Sequence, residues 1–152
     1  MYLKDYLSKF NNKNIKLFVD MDGVIADYDF GVSKDYDKKR PLLDSINKLE
    51  EISKVSNIEL YILSVTRYSN GLEQKNYWID KYASFFKKEN RIIISREDNN
   101  MEESSKLKAE YLKEFKRDGS IIIVIDDDPR VLNEIRNRCE DIILLKDTVL
   151  VD

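Results

Sequence analysis

"FVDMDGVIAD" (residues 18–27) ends an apolar run on Asp20, places Asp22 two positions later and turns at Gly23. Side chains two apart in an extended segment point the same way, so these carboxylates repel each other. Ordinary packing does not call for that arrangement. A positive charge held between them does.

Further runs of the same kind lie on both sides of this stretch. "IKLFVD" (15–20), "IELYILS" (58–64), "RIIIS" (91–95), "IIIVID" (121–126) and "DIILL" (141–145) are near-continuously apolar. Strands buried on both faces have that composition. Amphipathic helical stretches alternate with them near 41–55, 71–88, 103–117 and 129–139. Pro41 suits a first helical turn, and Asp128-Pro129 reads as an N-cap followed by an N1 proline. Strands alternating with helices predict a doubly wound α/β domain with a central parallel sheet of about five strands. Tyr2, Leu3, Tyr6, Leu7 and Phe10 predict an extra helix within 1–14, packed on the edge. With no repeat, linker or low-complexity tract, residues 1–152 read as one domain.

Bulk properties narrow the chemistry. A charge of −3 argues against stable nonspecific nucleic-acid binding, although a nucleic-acid end remains acceptable as substrate. One cysteine, Cys139, allows no intrachain disulfide. There is neither an apolar leader core nor a membrane-length run, so no membrane association and a cytoplasmic location are expected. The absence of histidine removes Ser-His-Asp and Cys-His nucleophile systems and imidazole metal sites. What is left is carboxylates, lysine, arginine, hydroxyls and a hard cation bound by oxygen.

Ligands of such sheets bind beyond the carboxyl ends of the strands. Those ends carry Asp20-Met21-Asp22-Gly23, then Ser64 followed by Thr66 and Arg67, then Asp126-Asp127-Asp128. Converging there unneutralised, the acids would repel strongly. Mg²⁺ is the economical partner, with Asp20, Asp22, Asp126 and Asp127 as its candidate ligands. Asp128, directly before Pro129, is more naturally an N-cap.

Three of these segments together resemble the haloacid dehalogenase-like phosphohydrolases. "VDMDGV" resembles their first motif, "YILS" the second and "IVIDD" the paired-Asp form of the fourth, in order, across roughly residues 15–145. The resemblance implies a three-layer Rossmann-like sandwich and hydrolysis of phosphomonoesters through an aspartyl-phosphate. It implies Asp20 as nucleophile and Asp22 as general acid and base. It further implies Asp126 and Asp127 holding Mg²⁺ with Asp20 and the Met21 carbonyl, and Ser64 bonding a phosphate oxygen. The flanks look most like the deoxyribonucleotidase and polynucleotide phosphatase branches, so the implied substrate is a phosphorylated nucleotide or polynucleotide end. A metal-binding module without turnover, or phosphotransfer to an acceptor other than water, are the alternatives.

The third motif is a lysine of variable placement. Lys108 is followed by Tyr111, Leu112 and Phe115 on an apolar face, whereas Lys106 aligns with Ala109, Glu110 and Lys113. Lys108 is therefore the expected phosphate and acid partner, with Lys106 in reserve. Arg67 is a candidate phosphate clamp or a loop cap. Lys75, on a stripe with Trp78, Ile79 and Tyr82, reads as a lysine whose stem lies along the helix with its head in water. Tyr28, Phe30 and Tyr36 in a short flap over 24–40 could stack on a base or pack the flap. Cys139 reads as core. Neither the gap after the first motif nor that before the fourth holds a cap domain. An open site is expected, suited to a polymer end or to a small substrate covered by an oligomer partner.

Overall fold

The computed structural model describes residues 2–28 and 35–151. Five parallel strands, β1 (Ile15–Val19), β2 (Ile58–Thr66), β3 (Arg91–Ser95), β4 (Ile121–Asp126) and β5 (Ile142–Lys146), form one sheet in the order β3-β2-β1-β4-β5. The helices are α1 (Leu3–Leu7), α2 (Leu43–Ser53), α3 (Gly71–Tyr82), α4 (Ser104–Glu114) and α5 (Pro129–Arg138). They cover both faces of the sheet in a Rossmann-like three-layer sandwich.

The layering follows from the two-residue period of a strand. Ile15, Leu17 and Val19 of β1, with Ile123 and Ile125 of β4, face Leu49 and Ile52 of α2 and Trp78 and Ile79 of α3. Phe18, Ile122 and Val124 face the opposite way, onto Ala109 and Leu112 of α4 and Val131 and Ile135 of α5. Both sides of β1 and β4 are therefore dry, which explains their unbroken apolar sequences. Truncating a side chain as large as the fully buried Trp78 to alanine would cost about 3–5 kcal/mol.

The element ends depart from the sequence expectations for identifiable reasons. β2 runs on through Val65 and Thr66 because these pair with Ile94 and Ser95. α2 starts at Leu43, so Pro41 lies before the helix, where it bridges to Ala26. α3 stops at Tyr82, and Ala83 and Phe86 turn back into the core beneath it. α4 ends before Phe115, whose ring meets Phe18 edge-on at 5.1 Å. Helix α1 is short, and a 3₁₀ turn at Ser8–Phe10 follows it. Its buried Leu3 and Leu7 join the α2 and α3 cluster rather than only capping an edge. Asp128 does cap α5, accepting from the Arg130 amide at 2.9 Å, with Pro129 in the first turn. Cys139 is half-buried against the α4 and α5 cluster, its Sγ donating to the Ala109 carbonyl at 3.4 Å. Among the described residues no helix is long and apolar enough to cross a membrane.

The chain steps outward from β1 to β2 and β3, then returns to the other side of β1 for β4. This reversal opens a crevice at the carboxyl ends of β1 and β4. Val19 is in register with Ile125, and the Asp20 amide extends the pairing to the Ile125 carbonyl at 3.0 Å. Asp20 and Asp126 thus leave the sheet side by side.

Candidate active site

Residues 20–26 form a tight turn whose centre is the Met21 carbonyl. It accepts the amides of Val24, Ile25 and Ala26 at 3.1, 2.9 and 3.0 Å. That carbonyl is engaged by the loop's own amides. The next main-chain oxygen, on Asp22, accepts no backbone amide among the described residues. Gly23 sits at φ +80°, and a Cβ there would collide with Asp127 Oδ2 and the Tyr28 ring. Only glycine allows the turn to approach the second acidic segment this closely.

Strand parity then sorts the functional side chains. Asp20 and Asp126 continue the even-numbered series of β1 and β4 toward α4. There the buried Lys108 meets both, its Nζ 2.9 Å from Asp20 Oδ1 and 2.7 Å from Asp126 Oδ2. Asp127 joins them, and the three carboxylates bring oxygen atoms within 4.8 Å of one another. Tyr28 donates its hydroxyl to Asp127 Oδ2. Lys106 instead points to Glu102, 3.9 Å away.

Asp22, expected among the metal ligands, lies outside the three-carboxylate group and is held by other partners. Its Oδ1 accepts from Lys39 Nζ at 2.6 Å and from the Tyr36 hydroxyl at 2.8 Å, and its Oδ2 from Lys75 Nζ at 3.2 Å. Ser64, on the opposite parity of β2 from Leu63, faces α3 and is fully buried. Lys75 reaches it from α3 at 2.6 Å and also donates to the Val65 carbonyl at 2.9 Å.

Lys75 is thus a buried member of the site and not a lysine with its head in water. Its place on an apolar stripe was the available signal. The same signal led to Lys108, but no acidic partner for Lys75 is visible in sequence. Nothing local in the sequence distinguishes Lys39. The segment that carries it is docked by its carbonyl, which accepts from Trp78 Nε1 at 3.0 Å. Tyr36 packs edge-on against Trp78 at 6.0 Å, so its ring belongs to the flap packing. Tyr28 is half-exposed beside Asp127, and Phe30 lies outside the described residues. Arg67 is not gathered into the cluster. It is exposed, with its guanidinium 5.5 Å from the Tyr68 ring centre.

The two lysines impose opposite electrostatics. Burial pushes the Asp20 carboxyl up to about 7; Lys108 pulls against this and Asp126 adds to it. Asp126 is raised by the same burial against the pull of Lys108. Burial also pushes Asp22 upward, but Lys75 and Lys39 outweigh it and hold the group at about 2. Burial works against the charge on both lysines. Asp20 and Asp126 overcome it at Lys108, which is raised, whereas Lys75 is lowered because burial prevails over Asp22.

Three converging carboxylates make an all-oxygen donor set that could hold a hard divalent cation. A carboxylate raised toward neutrality by crowding and burial gains most from such a partner.

Neither a protein-family profile nor a curated protein sequence matches this chain. Solved structures do. A chain from a structure of the Pnkp1/Rnl/Hen1 RNA repair complex superposes over 89% of this protein with a TM-score of 0.65 at 16% identity. A chain from a second structure of that complex gives 88%, 0.66 and 16%. This protein spans 43% and 46% of those chains, less than half their length. At that identity the likeness establishes a shared fold.

Proposed function

We propose that this protein is a Mg²⁺-dependent phosphomonoester hydrolase of the haloacid dehalogenase-like type, with Asp20 as nucleophile. The observation that carries the reading is the meeting of Asp20, Asp126 and Asp127 with Lys108 at the strand-order reversal. Mg²⁺ would be held by these three carboxylates, and when bound it supplies charge neutralisation for the approach of one anion to another.

Asp20 attacks phosphorus through one carboxylate oxygen to give an aspartyl-phosphate, which water then hydrolyses. Lys108 fixes the attacking carboxylate by its 2.9 Å contact and keeps a positive charge beside the phosphoryl oxygens. Asp22 hands a proton to the leaving oxygen and later takes one from water. Two ammonium groups hold it ionised at rest, so it must shed one of them and take up a proton from solvent before it can donate one. Lys39 is the more exposed, at 16% of its side chain against 4% for Lys75.

The likeness to chains of an RNA repair complex supports a phosphorylated polynucleotide end as substrate. So does the absence of a cap-sized insertion: among the described residues only a 3₁₀ turn and α2 separate β1 from β2. Asp20→Asn should abolish turnover of p-nitrophenyl phosphate with Mg²⁺, and 3′- or 5′-phosphorylated oligonucleotides should be dephosphorylated by the unmodified protein. Undiminished turnover by the variant would refute the mechanism.

A further inference from the structure

The three clustered carboxylates are not oriented by the same kind of donor. Asp20 accepts from Lys108 through Oδ1. Asp126 accepts from Lys108 through Oδ2 and from the Asp128 amide through Oδ1, the latter at 2.9 Å. Asp127 meets no ammonium or guanidinium among the described residues. Its one donor there is the Tyr28 hydroxyl, which bonds Oδ2 and leaves Oδ1 without a partner. The phenol is itself seated, because its ring lies so close to the Gly23 backbone that an added Cβ would come within 2.6 Å of it. Through this bond the turn after β1 grips the second acid at the end of β4.

We infer that Tyr28 is a positioning residue that fixes the plane of the Asp127 carboxylate through Oδ2 and keeps Oδ1 open to a divalent cation held with Asp20 and Asp126. This rests on the Mg²⁺ site of the phosphohydrolase reading and adds to it a residue that acts through a ligand. The terminal torsion of an aspartate is broad, so a carboxylate without a donor samples many orientations. Mg²⁺ demands near-octahedral geometry and would have to select one of them. A hydrogen bond to the ligating carboxylate makes that selection in advance. The kind of donor matters as well. A phenol donates while staying neutral, whereas a second lysine at Asp127 would cancel charge on which the affinity for a hard cation depends. Lys108 already sets one ammonium against the cluster.

The test is the affinity for Mg²⁺ alone, measured by titration calorimetry on the full chain without substrate. Tyr28→Phe keeps the ring on Gly23 and removes only the hydroxyl, and it should weaken Mg²⁺ binding by about ten-fold. In an Asp127→Ala background the same change should cost less than about two-fold, because no carboxylate is left to orient. An equal cost in both backgrounds would overturn the inference, since the phenol would then act on the loop and not on Asp127. Unchanged or tighter binding by Tyr28→Phe overturns it too, because the phenol would then be idle or competing with the cation. Where Asp127→Ala binds too weakly for the cycle, a crystal structure of the unaltered protein grown with Mg²⁺ decides. Asp127 Oδ1 at about 2.1 Å from the ion, with Tyr28 still on Oδ2, supports the inference. A phenol displaced from Asp127, or an ion bound without Asp127, overturns it. Failure of the unaltered protein to bind Mg²⁺ removes the parent metal site together with the inference, whereas normal binding unaffected by Tyr28→Phe removes the inference alone.

Discussion

Lys108 and Lys75 approach the same crevice from opposite faces of the sheet, one from α4 and the other from α3. Both are almost wholly buried, and both lie on apolar helical stripes. Lys108 bridges two acids that are themselves buried, Asp20 and Asp126. Lys75 shares one acid, Asp22, with Lys39 and spends its other hydrogens on neutral oxygens. The first side is therefore rich in negative charge and short of cations, whereas on the second side one carboxylate has two. Similar burial thus goes with a carboxylate cluster on one face and a hydrogen-bond scaffold on the other.

Removing each lysine in turn is the most forceful way to break this contrast. Lys108→Met strands two buried carboxylates and should cost about 3–5 kcal/mol in urea unfolding at pH 8 with EDTA. Mg²⁺ should restore part of that loss by binding the exposed donor set. Lys75→Met should cost less, about 2–3 kcal/mol, because Asp22 keeps Lys39 and Tyr36, and Mg²⁺ should restore none of it. Equal rescue of both variants would erase the distinction between the two sides.

The pH dependence of stability separates the sides less violently. Asp20, near 7 in the folded protein, lies above an unfolded carboxylate at about 4, so the folded state holds the extra proton between these values. Its contribution is fully present below about 4 and is lost as pH rises toward 7. Asp22, at about 2, does the reverse: its contribution is complete above about 4 and is lost as pH falls toward 2. Urea midpoints in EDTA should accordingly decline on both flanks of about pH 4. Asp20→Asn should flatten the upper flank and Asp22→Asn the lower one.

The mildest test removes a single neutral donor. Tyr36→Phe takes one hydrogen bond from Asp22 and leaves both ammonium groups in place, so about 0.5–1.5 kcal/mol of stability should be lost. A much larger loss would mean that the Tyr36 hydroxyl holds the 35–40 segment down, a task otherwise left to the Trp78 bond and ring.

These differences trace how far local sequence reaches. Apolar continuity made all five strands visible, because strands buried on both faces have little freedom in composition. Helix ends were less legible. Ala83 and Phe115 continue the amphipathic pattern, yet the core below them draws the chain out of the helix. Within the site, Asp20, Asp126 and Asp127 were legible because each lies at or just beyond the carboxyl end of a strand. Lys108 was legible because an ammonium on an apolar face demands acids nearby. Lys75 met the same criterion and was misassigned, since Ser64 and Asp22 lie 11 and 53 residues away. Arg67 follows the second strand end in sequence, but its exposed side chain lies over the Tyr68 ring.

By itself, the sequence determined the α/β alternation, the acidic carboxyl ends of β1 and β4, and a chemistry confined to oxygen donors and lysine. Only the tertiary structure decided which lysine meets which acid, that Asp22 stands apart from the other carboxylates, and that Lys39 reaches it. The reason is physical: side-chain period and composition are local, whereas pairing of charges depends on which helix covers which face. That is settled by the crossover connections of the sheet.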